Sequence, residues 1–294
     1  MTSTSSAGLR REAEGLAAPL PPLLAEARQL AAAVQIGAHG RRRAGVGDEF
    51  WQYRPALDFD EARRIDWRRS ARSDQYFIRD QEWQATQTVH LWVDMARSME
   101  FSSSGALPTK AHRARVLALA TAILLEQAGE RIGLADRRTP PRSGAAQLTR
   151  IATALMADGG GDDYGVPSAA ELATGSRVLL VSDFFGEPDQ VEAMVLAAAD
   201  RGISGAMLQI LDPAEEAFPY AGRAIFESMA GFVQHETKEA GGLQARYRQR
   251  LAERQDRLEK LARQTDWRWQ VHHTSAPAQS ALLWLYHAIG QSPR

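Results

Sequence analysis

The sequence contains no cysteine, and this absence excludes disulfide bonds, thiol catalysis and zinc sites built on thiolates. Long apolar runs are also absent, because the longest, residues 117–125, is shorter than half of the roughly 20 residues that a membrane-spanning helix needs. Residues 1–15 contain no apolar segment typical of a signal peptide. The net charge of −1 gives the chain no overall attraction to nucleic acid or to an anionic membrane. We therefore expect a cytoplasmic protein without a membrane segment.

The sequence does contain two apolar strands that each stop at an aspartate. Residues 89–93 read as a strand followed by Asp94, and residues 177–182 read as a second strand followed by Asp183. The VLLV run in the second strand is typical of a strand that is buried on both faces. In a parallel α/β sheet the carboxyl ends of the strands share one edge, where such folds bind ligands. We therefore expect Asp94 and Asp183 to lie on the same edge.

Helical and extended patterns alternate through most of the chain. Periodicity predicts helices at 109–129, 144–157, 188–201, 238–264 and 280–289. Strands are predicted at 89–93, 131–136, 177–183, 203–211 and 267–273, with a hairpin-like excursion formed by 218–220 and 223–227. This alternation favours a doubly wound, mostly parallel α/β sheet.

The composition divides the chain into three parts. Residues 1–20 are rich in Ser, Ala and Pro, and we expect them to be mobile. Residues 21–86 are predicted to form an N-terminal helix and a β-rich extension, in which a strand at 75–79 neighbours a strand at 86–93. Residues 87–290 are predicted to form the α/β domain.

Residues 39–83 are unusually rich in arginine and tryptophan. Ten arginines lie between Arg41 and Arg79, and tryptophans occupy positions 51, 67 and 83. Acidic residues are interspersed among them, which indicates Arg–carboxylate pairs and arginines stacked on aromatic rings. Two interpretations stay open: a structural subdomain whose charges neutralise one another, or a recognition surface. For a recognition surface, a protein partner fits better than DNA because the net charge of this stretch is small.

The sequence after the first strand, DMARS, contains part of the D-x-S-x-S pattern of a Mg²⁺ site. Asp94 fills the first position and Ser98 the fifth, whereas Ala96 leaves the third without a hydroxyl. Asp183 could add a carboxylate, and Mg²⁺ tolerates several water ligands. One interpretation is a depleted Mg²⁺ site at Asp94, Ser98 and Asp183. The other is a polar edge in which Asp94 accepts hydrogen bonds from backbone amides and Ser98 caps the next segment.

No catalytic motif is complete elsewhere in the sequence. The glycine-rich loop at 159–165 lacks the lysine of a nucleotide-binding P-loop. We expect this loop to be a flexible, solvated turn, although Asp162 and Asp163 could approach Asp94. The histidines form neither a metalloprotease motif nor a Ser–His–Asp grouping. We therefore predict no catalytic residues and no cofactor-binding residues.

Residues 39–83, HGRRRAGVGDEFWQYRPALDFDEARRIDWRRSARSDQYFIRDQEW, together with the following strand and DMARSM, resemble the family known as domain of unknown function 58. The similarity continues through GERIGL at 129–134, SDFF at 182–185 and QILDPAEEAFPYAGRAIF at 209–226. The most specific elements are GDEF, RIDWR and SAR in the Arg/Trp-rich stretch. The resemblance covers nearly the whole chain beyond its first helix.

This resemblance implies a von Willebrand factor A-type fold with a β-rich N-terminal extension. It also implies a metal-ion-dependent adhesion site, whose Asp-x-Ser-x-Ser maps onto Asp94, Ala96 and Ser98 and whose later Asp maps onto Asp183. The missing hydroxyl at Ala96 makes that site degenerate. Relatives are often found with MoxR-type AAA+ ATPases, so the resemblance implies an adaptor role in protein assembly.

Three functions are compatible with these observations. The first is a non-enzymatic interaction module, an adaptor of a MoxR-type AAA+ ATPase with an unknown client. The second is a Mg²⁺-dependent hydrolase that uses Asp94 and Asp183. The third is nucleic-acid binding through the arginines at 41–43 and 63–72. We favour the first, because the resemblance spans the chain while a catalytic set is missing.

Overall fold

The structure of the chain is a computed structural model. It describes residues 20–34, 41–45, 49–57, 61–72, 75–135, 141–157, 162–220, 222, 224–227, 234–237 and 241–290. The segment predicted to be mobile, 1–20, therefore lies outside the described residues except for its last position. The chain forms two units, Met1–Gly37 with Gln87–Arg294, and Ala38–Thr86.

The described residues form ten strands and eight α-helices. The strands are β1 Arg41–Gly45, β2 Glu49–Pro55, β3 Phe77–Ala85, β4 Thr88–Val93, β5 Arg131–Leu134, β6 Arg177–Ser182, β7 Ser204–Leu211, β8 Ala224–Glu227, β9 Gln234–Thr237 and β10 Arg268–His273. The helices are α1 Leu20–Ala32, α2 Trp67–Ser70, α3 Lys110–Gln127, α4 Ala145–Met156, α5 Pro188–Asp200, α6 Pro213–Ala217, α7 Gly241–Gln264 and α8 Ala278–Gly290. Short 3₁₀ helices span Ala62–Arg64 and Arg97–Glu100.

The larger unit is built on a five-stranded sheet in the order β10-β7-β6-β4-β5. All four pairings between neighbouring strands are parallel. Every residue of β6 is buried, as its VLLV run predicts for a strand covered on both faces. The carboxyl ends of the strands consequently share one edge.

Helices cover both faces of this sheet. Because side chains alternate along a strand, Leu179 packs in one apolar cluster with residues of α1, α3, α4 and α8. Its neighbour Leu180 packs in the other cluster with residues of α5 and α7. This arrangement confirms the predicted doubly wound α/β fold and is consistent with the von Willebrand factor A type.

Helix α3 carries the first side chain of the candidate site. It begins at Lys110, directly after Thr109, whose hydroxyl accepts a hydrogen bond from the His112 amide at 3.1 Å. Thr109 is therefore the N-cap of this helix. Helix α3 ends at Gln127, and Gly129 follows with φ +78°, a conformation that glycine adopts without steric cost.

The chain departs from the sequence predictions in three places. Strands β3 and β4, predicted to be neighbours, belong to different sheets. Strand β3 pairs with β1 and β2 in an antiparallel three-stranded sheet within the smaller unit. The excursion after β7 is a hairpin of β8 with β9, whereas residues 218–220 follow helix α6 and form no strand. Helix α1, expected to belong with the β-rich extension, instead buries Leu23 and Ala27 in the core of the larger unit, although the two units do divide after residue 86.

None of the helices in the described ranges is long and apolar enough to cross a membrane.

Candidate functional site

The candidate site lies at the carboxyl ends of two neighbouring strands, β4 and β6. Val93 and Val181 are opposite each other in the parallel register. The Asp94 amide then donates to the Val181 carbonyl at 2.9 Å, which extends the pairing beyond β4. Asp94 and Asp183 thus lie at the same edge of the sheet, because each directly follows its strand.

The carboxylate of Asp94 is enclosed by protein and is only 1% exposed. Its Oδ1 accepts a hydrogen bond from the Ala96 amide at 2.9 Å, and its Oδ2 accepts one from the Ser182 hydroxyl at 2.7 Å. A Cβ atom at Gly165 would lie 2.3 Å from Oδ1, so the loop backbone covers this side of the carboxylate. Burial raises the pKa of Asp94, and the Ser182 hydrogen bond offsets part of that increase.

The carboxylate of Asp183 has a different set of partners. Its Oδ1 accepts from the Phe185 amide at 2.9 Å, and its Oδ2 accepts from Nζ of Lys110 at 2.8 Å. The Gln209 side-chain amide donates to the Asp183 carbonyl at 2.9 Å. Asp183 is completely buried, so this carboxylate is oriented by the protein itself.

Lys110 joins Asp183 to a second carboxylate. Its Nζ also donates to Oε1 of Glu215 at 2.5 Å, and Lys110 is 0% exposed. The rings of Phe101 and Phe185 flank the ammonium with centroids at 5.8 and 5.0 Å. Burial alone would lower the pKa of Lys110, but the two adjacent carboxylates outweigh it and raise that pKa above its usual value. The site therefore holds a buried, charged lysine.

Glu215 is held in place by a capping box at the start of α6. Its Oε2 accepts from the Asp212 amide at 2.9 Å, while Oδ1 of Asp212 accepts from the Ala214 amide at 2.9 Å. Oδ2 of Asp212 accepts from the Ser103 amide at 3.0 Å. These bonds connect α6 with the loop before α3 and fix the direction from which Glu215 reaches Lys110.

The loop after residue 161 packs on the segment that follows Asp94. The amides of Arg97 and Ser98 donate to the carbonyls of Asp162 and Asp163 at 3.1 and 3.0 Å. Residues 162–165 are thus held to the neighbouring segment by backbone hydrogen bonds while Asp162 and Tyr164 stay exposed, and 159–161 lie outside the described residues. Within the described part of the chain, the buried Ser98 hydroxyl has no hydrogen-bond partner.

An exposed aromatic and apolar surface lies directly beside this buried network. Tyr164 is 42% and Val166 55% exposed, although the intervening Gly165 contacts Asp94. Arg254 donates to the carbonyls of Phe184 and Gly186 at 2.6 Å each and so fixes the backbone that follows Asp183. At this edge of the sheet, accessible side chains are therefore attached to a backbone that hydrogen bonds hold in place.

The three residues predicted to bind Mg²⁺ are thus each engaged differently. Asp94 and Asp183 are bonded to protein donors, and Ser98 directs its backbone amide to Asp163. No group of three or more His, Asp or Glu side chains among the described residues is arranged to hold a metal ion. Mg²⁺ demands a nearly octahedral set of oxygen ligands, and an ammonium already contacts Asp183. The residues as arranged do not fit a divalent cation, although metal binding itself stays a prediction.

Lys110, Ser182 and Glu215 are site residues that were not predicted from the sequence. A signal existed for Glu215, because Asp212 and Glu215 have the spacing of a capping box with proline at the first helical position. No comparable signal marked Lys110, since a lysine in the first turn of an apolar helix is ordinarily solvated.

Comparisons with known proteins identify the family to which the chain belongs. Residues 50–259, more than half of the chain, match the family model described as "Protein of unknown function DUF58". No curated protein matches the chain. Among solved structures, the chain is similar to the conserved hypothetical protein BatB from Bacteroides thetaiotaomicron, at 14% identity and a TM-score of 0.40, over 71% of this chain and 100% of that one. On the strength of the family match, the chain belongs to the family of proteins of unknown function DUF58.

Proposed function

We propose that this chain is a non-enzymatic protein-interaction module, an adaptor of a MoxR-type AAA+ ATPase in protein assembly or maturation. The carboxyl edge around Asp94, Ser98 and Asp183 is its partner-facing surface. The ATPase partner is suggested by the family resemblance, and the cytoplasmic location by the sequence alone. The client stays open.

One observation carries the non-enzymatic part of the proposal. The carboxylates of Asp94 and Asp183 are at most 1% exposed, and the oxygens of both accept hydrogen bonds from protein donors. A general base or a nucleophile must come within hydrogen-bond reach of its substrate. These groups instead support the loops around them, which favours a structural role for the carboxylates and an interaction role for the loops.

The surface nearest to these carboxylates suits a protein partner. Tyr164 and Val166 are exposed on a loop whose backbone is fixed by Ser98, Arg97 and Asp94. Tyrosine is enriched in protein interfaces because it offers a large, rigid contact area together with a polar hydroxyl. A preorganised loop also loses little conformational entropy when it binds.

A capture experiment with the MoxR-type ATPase tests this proposal. The immobilised chain is expected to retain the ATPase with ATP or ADP present. The double variant Tyr164→Ser/Val166→Ser is expected to weaken capture at least about tenfold, because it removes the two contact side chains. The control Leu196→Ser changes another exposed apolar residue, on α5 (46% exposed), and should bind as wild type does. Absence of capture in every nucleotide state would refute the adaptor proposal.

A further inference from the structure

We infer that the ammonium of Lys110 occupies the place of a divalent cation at the carboxyl edge, so that this edge functions without a bound metal. The inference rests on the proposed function only in treating the edge as partner-facing. Its physical basis is the buried arrangement of Lys110, Asp183 and Glu215 alone.

The position of Lys110 runs against two general preferences of lysine. It is the first residue of α3, where the positive end of the helix dipole disfavours a cation. It is also 0% exposed, whereas a buried charge is tolerated only when it is paired and hydrogen-bonded. The pairing is supplied by Asp183 at 2.8 Å and Glu215 at 2.5 Å.

The two carboxylates approach Lys110 from separate elements. Asp183 follows β6, and Glu215 lies on α6, so a single positive charge joins α3, the end of β6 and α6. Cross-linking of several loops at a strand end is what a bound divalent cation does through its ligands. Lys110 performs it with a covalently attached charge that no chelator removes.

Lys110 also disfavours a metal at this position. A divalent ion bound to Asp183 would lie within a few ångströms of Nζ, and like charges at that distance repel strongly when they are shielded from water. Binding would require the lysine to leave Asp183 and Glu215. The Ala96 amide and the Ser182 hydroxyl meanwhile engage the carboxylate of Asp94.

The sequence alone suggests a different defect in the Mg²⁺ site. In the DMARS motif, the departure from the Mg²⁺-site pattern is the hydroxyl that is missing at Ala96. If that were the only defect, Ala96→Ser would restore metal binding. If Lys110 supplies the charge, Ala96→Ser alone leaves the site closed to a metal, and Lys110 must also be removed.

Manganese titrations of the isolated chain separate these alternatives. Calorimetry and Mn²⁺ electron paramagnetic resonance are recorded for wild type, Ala96→Ser, and Ala96→Ser/Lys110→Ala. The expected result is no saturable binding to wild type or Ala96→Ser up to about 1 mM, the weak end of protein sites for divalent cations. Circular dichroism verifies that each variant is folded, and a folded double variant is expected to gain saturable binding.

The outcomes remain decisive even if the double variant does not fold. Saturable Mn²⁺ binding to wild type or to Ala96→Ser would overturn the inference, because Lys110 is present in both. Lack of binding in a folded double variant would likewise overturn it. The partner plays no role in these titrations, so a failed ATPase capture and a failed Lys110 inference are distinguishable.

A separate observation in the smaller unit carries a second proposal. We propose that a cavity of about 570 Å³, lined by Tyr53, Asp66, Arg68, Arg69, Arg72 and Phe77, binds an acidic segment of a protein partner. Its three arginines are exposed. Within the part of the chain that the structure describes, none of the three forms an ion pair with a carboxylate.

The cavity is organised for an anion by the residues beneath its arginines. The Arg69 guanidinium stacks on Tyr53 at 4.3 Å and lies 5.3 Å from the Phe77 ring centroid. The carboxylate of Asp66 accepts hydrogen bonds from the Arg69 amide at 3.0 Å and the Tyr53 hydroxyl at 3.1 Å. Stacking restricts the guanidinium of Arg69 while leaving its fork of donors for a carboxylate.

The charge of the smaller unit favours an acidic peptide over a nucleic acid. Residues 38–86 contain ten arginines and nine acidic residues, so the unit has almost no net charge to attract a polyanionic backbone. Trp67 and Tyr76, 58% and 60% exposed and 5.7 Å apart between ring centroids, add the aromatic contact typical of protein interfaces.

Fluorescence anisotropy with labelled probes tests the second proposal. An octapeptide with two central glutamates between uncharged residues is expected to bind the full chain, and Arg68→Gln/Arg72→Gln is expected to weaken binding at least about tenfold, because two charge-assisted bonds are lost. Arg63→Gln is the matched control, since Arg63 is exposed and already pairs with Glu61 at 2.5 Å. Absence of peptide binding, or tighter binding of a single-stranded octanucleotide, would overturn the proposal.

Discussion

The ammonium of Lys110 lies 2.8 Å from Oδ2 of Asp183, and both side chains are about 1% exposed. A buried pair of this kind contributes little relative to a well-packed apolar pair, but breaking it leaves a charge without compensation. The pair is therefore a point at which a single substitution should strongly affect the larger unit.

Lys110→Met is expected to lower the free energy of unfolding by about 3–5 kcal/mol, because Asp183 and Glu215 would both lose their buried cation. Urea denaturation at pH 7, followed by circular dichroism, measures this loss. Adding Glu215→Gln to Lys110→Met should recover part of it, since one buried negative charge is then removed.

Arg263→Met is the control for this loss. Arg263 pairs with Glu259 in the last turn of α7, and its side chain is 73% exposed. An exposed i, i+4 pair contributes only about 0.3–0.5 kcal/mol. If Lys110→Met cost no more than Arg263→Met, the buried network would not hold the edge together.

Ser182→Ala is expected to destabilise the protein more than Ser98→Ala, although the sequence motif emphasises Ser98. The Ser182 hydroxyl donates to Asp94 at 2.7 Å and accepts from the Phe184 amide at 2.9 Å. Removing the hydroxyl leaves the Asp94 carboxylate and the Phe184 amide each without one hydrogen-bond partner. This should lower the free energy of unfolding by about 1–3 kcal/mol. Ser98 has no side-chain partner among the described residues, so Ser98→Ala should be nearly neutral. Equal losses in urea denaturation would contradict this assignment.

The positions of Asp94 and Asp183 were predictable because local patterns determine them. Each follows a short, continuous apolar strand, and adjacent helical periodicity predicts the parallel sheet that aligns the strand ends. The Thr109 cap was predictable for the same reason. These features depend on residues only a few positions apart.

The partners of the aspartates were not predictable, because they depend on long-range contacts. Lys110 lies 73 residues from Asp183 and 105 residues from Glu215 in the sequence. The error at β3 and β4 has a related cause. Only residues 86 and 87 separate these strands, and side-chain alternation does not reveal that the chain passes from one sheet to another.

Gly165→Ala is expected to disturb the edge, because a Cβ there would lie 2.3 Å from Oδ1 of Asp94. The loop or the carboxylate must move, which should lower the free energy of unfolding by about 1–3 kcal/mol. Because the loop is then displaced, capture of the ATPase should also weaken. Gly105→Ala is the matched control, since its Cβ would meet nothing within 4 Å. Unchanged stability and capture in Gly165→Ala would show that the loop does not need its observed contact with Asp94.

His272 is expected to make stability depend on pH below neutrality. Burial, with smaller contributions from Arg113 and His273, lowers the pKa of His272 to about 4 from a usual value of 6.5. The unfolded chain therefore binds a proton that the folded chain excludes, so the stability is complete above pH 6.5 and decreases as the pH falls from 6.5 towards 4. The decrease in the free energy of unfolding should be about 2–3 kcal/mol.

Urea denaturation at pH 7.5 and pH 4 measures this decrease. Between these two pH values, the His272→Gln variant should lose about 2–3 kcal/mol less stability than wild type. The control His287→Gln changes an exposed histidine and should retain the pH dependence of stability seen in wild type. If His272→Gln also retained that pH dependence, the effect would belong to another titratable group.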